Sequence, residues 1–168
     1  MSPVPSQIAV GVVVERRKAD SPWIDFLWRP AGILPDAPDI ADWSLLREEG
    51  ETVLFYAGSR PIDLHRPETA RYRDNLATGA PSLWVVLSPA EGEWPYTLAA
   101  VTADPAEGEA FTEAGGNLVE TVAMPDVVRE AVERFVAEHH VEREFVKRKR
   151  DRANPEALAR RQPEGGHE

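Results

Sequence analysis

Four adjacent cations, Lys147, Arg148, Lys149 and Arg150, form the densest run of like charge in the chain. Clustered guanidinium and ammonium groups can take an acidic protein face, a phosphate-bearing molecule or the chain's own acidic surface. They also complement the negative end of a helix, although four of them exceed what that end requires. A second group is Trp23 with Trp28 and Arg29. In an alternating strand Trp28 and Arg29 face opposite sides, which lets Trp28 pack while Arg29 emerges at a rim. There its planar fork suits a carboxylate or phosphate, or simply a surface salt bridge. A third group joins Tyr72 and Asn75, three apart on one helix face with Leu76, and His139 farther along the chain. With Arg29 these are the candidate polar lining of a pocket between sheet and helix. Asn75 can equally tie its helix to a loop, and His139 can equally be a packed or capping histidine.

No catalytic constellation accompanies these groups. Gly115 and Gly116 lack the spacing of a phosphate-cradling loop, and no segment matches a dinucleotide fingerprint. His139 and His140 are adjacent, so on a helix they point about 100° apart and do not ligate one metal together. Zero Cys excludes disulfides, thiolate catalysis and Cys-ligated zinc or iron–sulfur centres. Neither a catalytic residue nor a metal or cofactor is therefore expected, and the chain is more readily a binding protein than an enzyme.

At 168 residues with 42% apolar residues and five Trp, the chain suits one domain with a single core. Up to Glu142 it holds 11 Lys and Arg against 24 Asp and Glu, whereas the remainder holds 8 against 5. An acidic body carries a basic arm. The formal charge of −10 argues against nucleic acid as partner for the whole surface. The longest apolar run, Ile8 to Val14, is far short of the ~20 residues of a membrane span, and the expected location is cytoplasmic with no membrane contact.

The elements that must position these groups are predicted from pattern. Ile8 to Glu15 is β-branched and nearly all apolar, a central strand buried on both faces. Phe26 to Leu34 pairs with it across a turn, with a bulge or edge position at Pro30. Trp43 to Arg47 and Thr52 to Ala57 form a second hairpin around Gly50, and Ile62 to His65 is expected as a short edge strand. Helix is predicted over Pro67 to Thr78, strands over Ser82 to Leu87 and Tyr96 to Thr102, and a helix to Ala114 started by Asp104, Pro105 and Glu107 as a near capping box. Leu118 to Val122 is the last strand. Val128, Val132, Phe135, Val136 and His139 then recur at helical spacing from Asp126 onward, with Phe145 and Val146 as a last docked turn. The fold class is α+β, a mainly antiparallel sheet of six to seven strands with two to three helices and a basic C-terminal arm. Residues 1–7 are expected to be flexible, 8–152 to form the domain and 153–168 a disordered tail.

Several stretches resemble an uncharacterised bacterial family, a domain of unknown function found largely in proteobacteria. They include Val12 to Arg17 with Ser21, Pro22 and Trp23; Trp28, Arg29 and Pro30 with Ile33, Leu34 and Pro35; Glu68 to Leu76; Pro81 to Leu87; Val101 to Pro105; Met124 and Pro125; and Phe145 to Arg152. The family form often has Tyr before the first Lys of the basic segment, where this chain has Val146. Members are encoded near formate dehydrogenase and other molybdenum-enzyme genes. The resemblance thus implies an accessory or maturation factor whose partner is a molybdenum-enzyme subunit, bound through Trp23, Arg29 and Lys147 to Arg150. The rival expectation is a small-molecule-binding domain or enzyme using the pocket of Arg29, Tyr72, Asn75 and His139.

Overall fold

β1 (Gln7–Lys18) runs between β2 (Phe26–Leu34) and β4 (Thr52–Asp63), antiparallel to both. In this computed structural model, residues 5–113 and 115–153 are described, with side chains to residue 139. β3 (Ser44–Glu49) pairs outside β4 and completes a sheet of order β2-β1-β4-β3. A second antiparallel sheet has the order β6-β5-β7, from β5 (Ser82–Pro89), β6 (Tyr96–Thr102) and β7 (Leu118–Ala123). The two sheets meet along two seams, β4 beside β6 and β2 beside β7. The helices are α1 (Thr69–Leu76), α2 (Pro105–Glu113) and α3 (Asp126–Ala153), with a 3-10 turn at Arg66–Glu68 ahead of α1. This is an α+β fold with seven strands shared between two sheets rather than placed in one.

Alternation along β1 sends Val10, Val12 and Val14 to one face, and all three are fully buried. They share a core with Leu83, Val85 and Leu87 of β5 and with Val128, Val132 and Phe135 of α3. Each such side chain contributes about 1.5–3 kcal/mol by leaving water. The other face is covered in part: Gly11 is buried beneath Tyr56 and Pro38, Val13 and Glu15 are half-buried and Ala9 is exposed, so the expectation of burial on both faces holds fully for the inner face and partly for the outer.

The predicted edge strand over Ile62 to His65 does not exist as a separate element. β4 continues through Gly58 and Pro61 to Asp63, and Ile62 is fully buried opposite Ile8. Gly and Pro read as breaks in sequence, but β1 runs straight beside them and supplies the ladder. At the other end Gln7 already belongs to β1, its Nε2 donating to Asp63 Oδ1 at 2.7 Å, and the Leu64 amide donates to the Ser6 carbonyl. Order therefore begins earlier than residue 8. Pro30 sits where it was expected, on an edge strand beside a register shift: Val13 faces Gly32 and Val14 faces Pro30, leaving Ala31 as the extra residue. The β3–β4 hairpin turns at Gly50, whose φ of 60° suits a residue without a Cβ.

At the start of α2 the Asp104 carboxylate accepts the Ala106 amide at 2.9 Å, as an N-cap does. Glu107 does not reach back to the cap amide. It instead accepts the Thr102 hydroxyl at 2.5 Å, while Thr102 Oγ1 accepts the Asp104 amide, so a hydroxyl relays the box. The other Asp104 oxygen takes Arg71 of α1 at 3.1 Å, and Glu68 takes the same guanidinium nitrogen at 2.7 Å. The hydrogen bond and charge of Asp104 raise Arg71 above its usual value.

Further along α2, Gly108 lies against Trp84 so closely that a Cβ there would come 2.3 Å from the indole and 2.8 Å from Trp84 Cβ. Gly108→Ala is therefore expected to lower stability by about 1–3 kcal/mol despite the gain in helix propensity. In a Trp84→Ala background the same change should cost less, because the indole contacts are gone and only the 2.8 Å approach to the Cβ at position 84 remains. Urea unfolding of the four proteins of this double-mutant cycle checks the coupling.

Candidate functional site

The core stripe of β1 does not end in an apolar residue. Val10, Val12 and Val14 are followed on the same face by Arg16, directly opposite Trp28 of β2 and Val53 of β4. The Arg16 guanidinium lies over three rings, 4.3 Å from the Phe26 centroid, 5.2 Å from Phe55 and 5.8 Å from Trp28. Behind them Trp28, Phe55, Trp43 and Trp94 pack as one cluster, with Trp43 and Trp94 stacked at 5.3 Å and 13°. Trp43 holds a φ of 65°, which costs a bulky L residue of order 1–3 kcal/mol, and its amide donates to the Tyr56 carbonyl. The backbone is thus bent to place this indole against Trp94.

Outside the cluster lies apolar surface. Trp23 is 90% exposed in the β1–β2 loop and Leu45 of β3 is 58% exposed, with Ile24, Phe26 and Leu27 also open to solvent. Single exposed apolar residues are ordinary; of these, Phe26 and Leu45 lie on the face of the ring cluster and Leu27 on the opposite face with Arg29. Arg29 is on the opposite face of β2 from Trp28, exposed, with its Nε 3.2 Å from Glu15. Such a pair contributes about 0–1 kcal/mol. Trp23 and Arg29 therefore belong to one hairpin, while Arg29 itself points away from the ring cluster.

Lys147 to Arg150 continue the backbone of α3, and their side chains, like those of Phe145 and Val146, lie outside the described residues. Residues 154–168 do as well. His139 is not a capping histidine, since α3 runs on to Ala153. It is buried, with its ring 4.5 Å from that of Phe135, which meets Tyr72 on its other side at 6.2 Å.

The four residues considered as pocket lining are not brought together. A cleft of about 440 Å³ does exist, lined by His65, Arg66, Pro67, Phe135, Glu138 and His139. Ser6 is at its rim, and Arg29 pairs with Glu15, nine residues farther along β1 and so roughly 30 Å away. Asn75 is fully occupied: its amide donates to the carbonyls of Ser82 at 2.8 Å and Ala103 at 3.0 Å, and its oxygen accepts the Ser82 amide. It ties α1 to the second sheet. The Tyr72 oxygen accepts the His65 amide at 2.9 Å, and burial pushes the phenol up to about 12.

Arg16, Trp43, Phe55 and Trp94 were not singled out from sequence. A signal for Arg16 exists, since it is the next inward position after three alternating valines. The three rings come from separate strands and loops, and only register joins them.

Among the described residues no three or more His, Asp or Glu side chains are grouped to hold a metal, and no helix is long and apolar enough to cross a membrane. Residues 9–149 match the family model described as "Protein of unknown function (DUF3305)". No curated protein and no solved structure matches the chain.

Tyr72 gives a pH-dependent expectation. Its phenol stays neutral in the folded chain to about pH 12 but ionises near 10 when unfolded, so the folded state holds the extra proton between them. Stability from this group is complete below about pH 10 and is lost as pH rises through about 12. Tyr72→Phe should cost about 1 kcal/mol near pH 8 by stranding the His65 amide. By about pH 11.5 the wild type should have lost about 2 kcal/mol that the variant keeps, so the two stability curves cross. Denaturant unfolding across that range checks the crossing.

Proposed function

We propose that this chain, which belongs to the DUF3305 family, is a non-enzymatic accessory factor that docks a protein client, and that the client is a subunit of a molybdenum enzyme of the formate dehydrogenase type. The observation that carries the docking reading is the pair of exposed apolar side chains Phe26 and Leu45 on the face of the ring cluster, with exposed Trp23 and Ile24 in the adjoining β1–β2 loop. Aromatic and arginine residues of this kind anchor protein interfaces. The client's identity rests on the resemblance of the Trp28-Arg29-Pro30 and Phe145 to Arg152 segments. Lys147 to Arg150 then supply a second contact that speeds encounter with an acidic client surface. The expected cellular setting is the cytoplasm.

A second reading keeps one observation in its favour, the cleft between the 3-10 turn and α3 with His65, Arg66 and His139 at its wall. It makes the chain a small-molecule-binding domain. Tyr72 and Asn75, spent on backbone hydrogen bonds, take no part in it.

Affinity capture with the tagged full chain, followed by mass spectrometry and by molybdenum and pterin analysis of the eluate, tests the leading reading. A molybdenum-enzyme subunit should be retained, and replacing Lys147, Arg148, Lys149 and Arg150 by Ala should reduce its recovery about tenfold with an unchanged thermal midpoint. Unchanged recovery removes the arm from the contact, and absence of the subunit removes the client.

A further inference from the structure

We infer that the Arg16 end of β1 is a receptor for a carboxylate that a protein partner presents between apolar side chains. This rests on the docking reading above and names the chemistry of the segment that docks. Arg16 is an uncommon occupant of a core face. Its Nε is buried with no hydrogen-bond partner, and among the described residues it makes no ion pair. Its guanidinium lies over the rings of Phe26, Phe55 and Trp28.

Ring faces attract the cation but give its buried Nε–H no acceptor in good geometry. Native proteins leave few such donors unmatched, and an unmatched one asks for an explanation. A guanidinium held among aromatic rings with its Nε buried is preorganised to meet a carboxylate through its terminal nitrogens, in surroundings that weaken competition from water.

Charge and apolar surface together select the source of that carboxylate. By register, Phe26 is opposite Lys18 and Leu45 is opposite Phe55, so both lie on the face that carries Arg16. Phe26 is 39% and Leu45 58% exposed. A free inorganic anion would leave both uncovered, whereas a peptide with Asp or Glu between apolar residues covers them while meeting Arg16. Lys18 adds positive charge on the β1–β2 side of this face, and Glu48, opposite Val53, adds negative charge on the β3 side. The partner's carboxylate is therefore directed to β1 and β2, with its apolar residues extending toward Leu45.

The probes are two blocked peptides, acetyl-Ser-Leu-Asp-Phe-Ser-amide and its Asn counterpart, titrated into the full chain by calorimetry and tryptophan fluorescence. The Asp peptide should bind about tenfold tighter or better, and Arg16→Met should erase that preference while Arg16→Lys keeps part of it. Should Arg16→Met fail to fold, the Arg16 Nε–H resonance of the wild type replaces it, moving with the Asp peptide and not with the Asn peptide. Equal affinity for the two peptides, binding of neither, or a static Nε–H resonance overturns the receptor. Dimerisation that depends on Arg16 and excludes the peptide also overturns it, making a second copy the occupant. Peptide preference without client capture leaves the receptor standing and removes the client; capture without peptide preference places docking elsewhere.

Discussion

Pairing of β1 on both flanks is the constraint on which the rest of the molecule depends. A strand with ladders to β2 and β4 has no freedom to slip by one residue, because a slip would turn Val10, Val12 and Val14 out of the core. Two register shifts, at Val12/Val13 toward β4 and at Val13/Val14 toward β2, are built around that fixed stripe. The bulges bend the partners while the stripe keeps its face. The second sheet and α3 then close over it, so that residues from three layers of sequence share one core.

The same constraint generates the candidate site. Once the stripe is fixed, period-two alternation carries Arg16 to the inner face with no choice left, and the fold must accommodate a cation there. It does so with rings from β2 and β4, backed by Trp43 and Trp94, and with a positive φ at Trp43 that a bulky residue rarely adopts. Local strain and a charge at the end of a core set this end apart from the rest of the domain, since neither improves its stability by itself. The opposite end of β1 carries a different arrangement, where Tyr72, Asn75 and Asp104 fasten α1 and α2 to the sheets by satisfied hydrogen bonds. One end is closed by polar fastening, the other left with open aromatic surface.

Much of the architecture was legible in residue pattern. The spans of β2, β5, β6 and β7, the hairpin turn at Gly50 and the irregularity at Pro30 all follow from alternation and from the backbone demands of Gly and Pro. The misreading at Ile62 to His65 has the same origin: Gly58 and Pro61 weaken a strand locally, yet a neighbouring strand held in place elsewhere carries β4 through them. For the candidate site, Trp23 and Arg29 drew attention because an aromatic beside a guanidinium is visible along the chain, yet register sets Arg29 on the face away from the rings. Arg16 was passed over because its chemistry depends on rings from residues 26, 28 and 55, which sequence distance separates.

Composition and pattern alone determined that the chain is an acidic α+β domain without cysteine chemistry, with antiparallel strands, a final amphipathic helix and a basic segment, since charge, residue count and hydrophobic period are properties of the chain itself. Tertiary structure alone decided that the strands divide into two sheets, that Arg29 and Arg16 occupy opposite faces, and that Asn75 and Tyr72 are fastenings rather than lining. The reason is physical. A side chain's type is fixed by covalent chemistry, but whether it meets water, a carbonyl or an aromatic face is set by the register and packing of segments far apart along the chain.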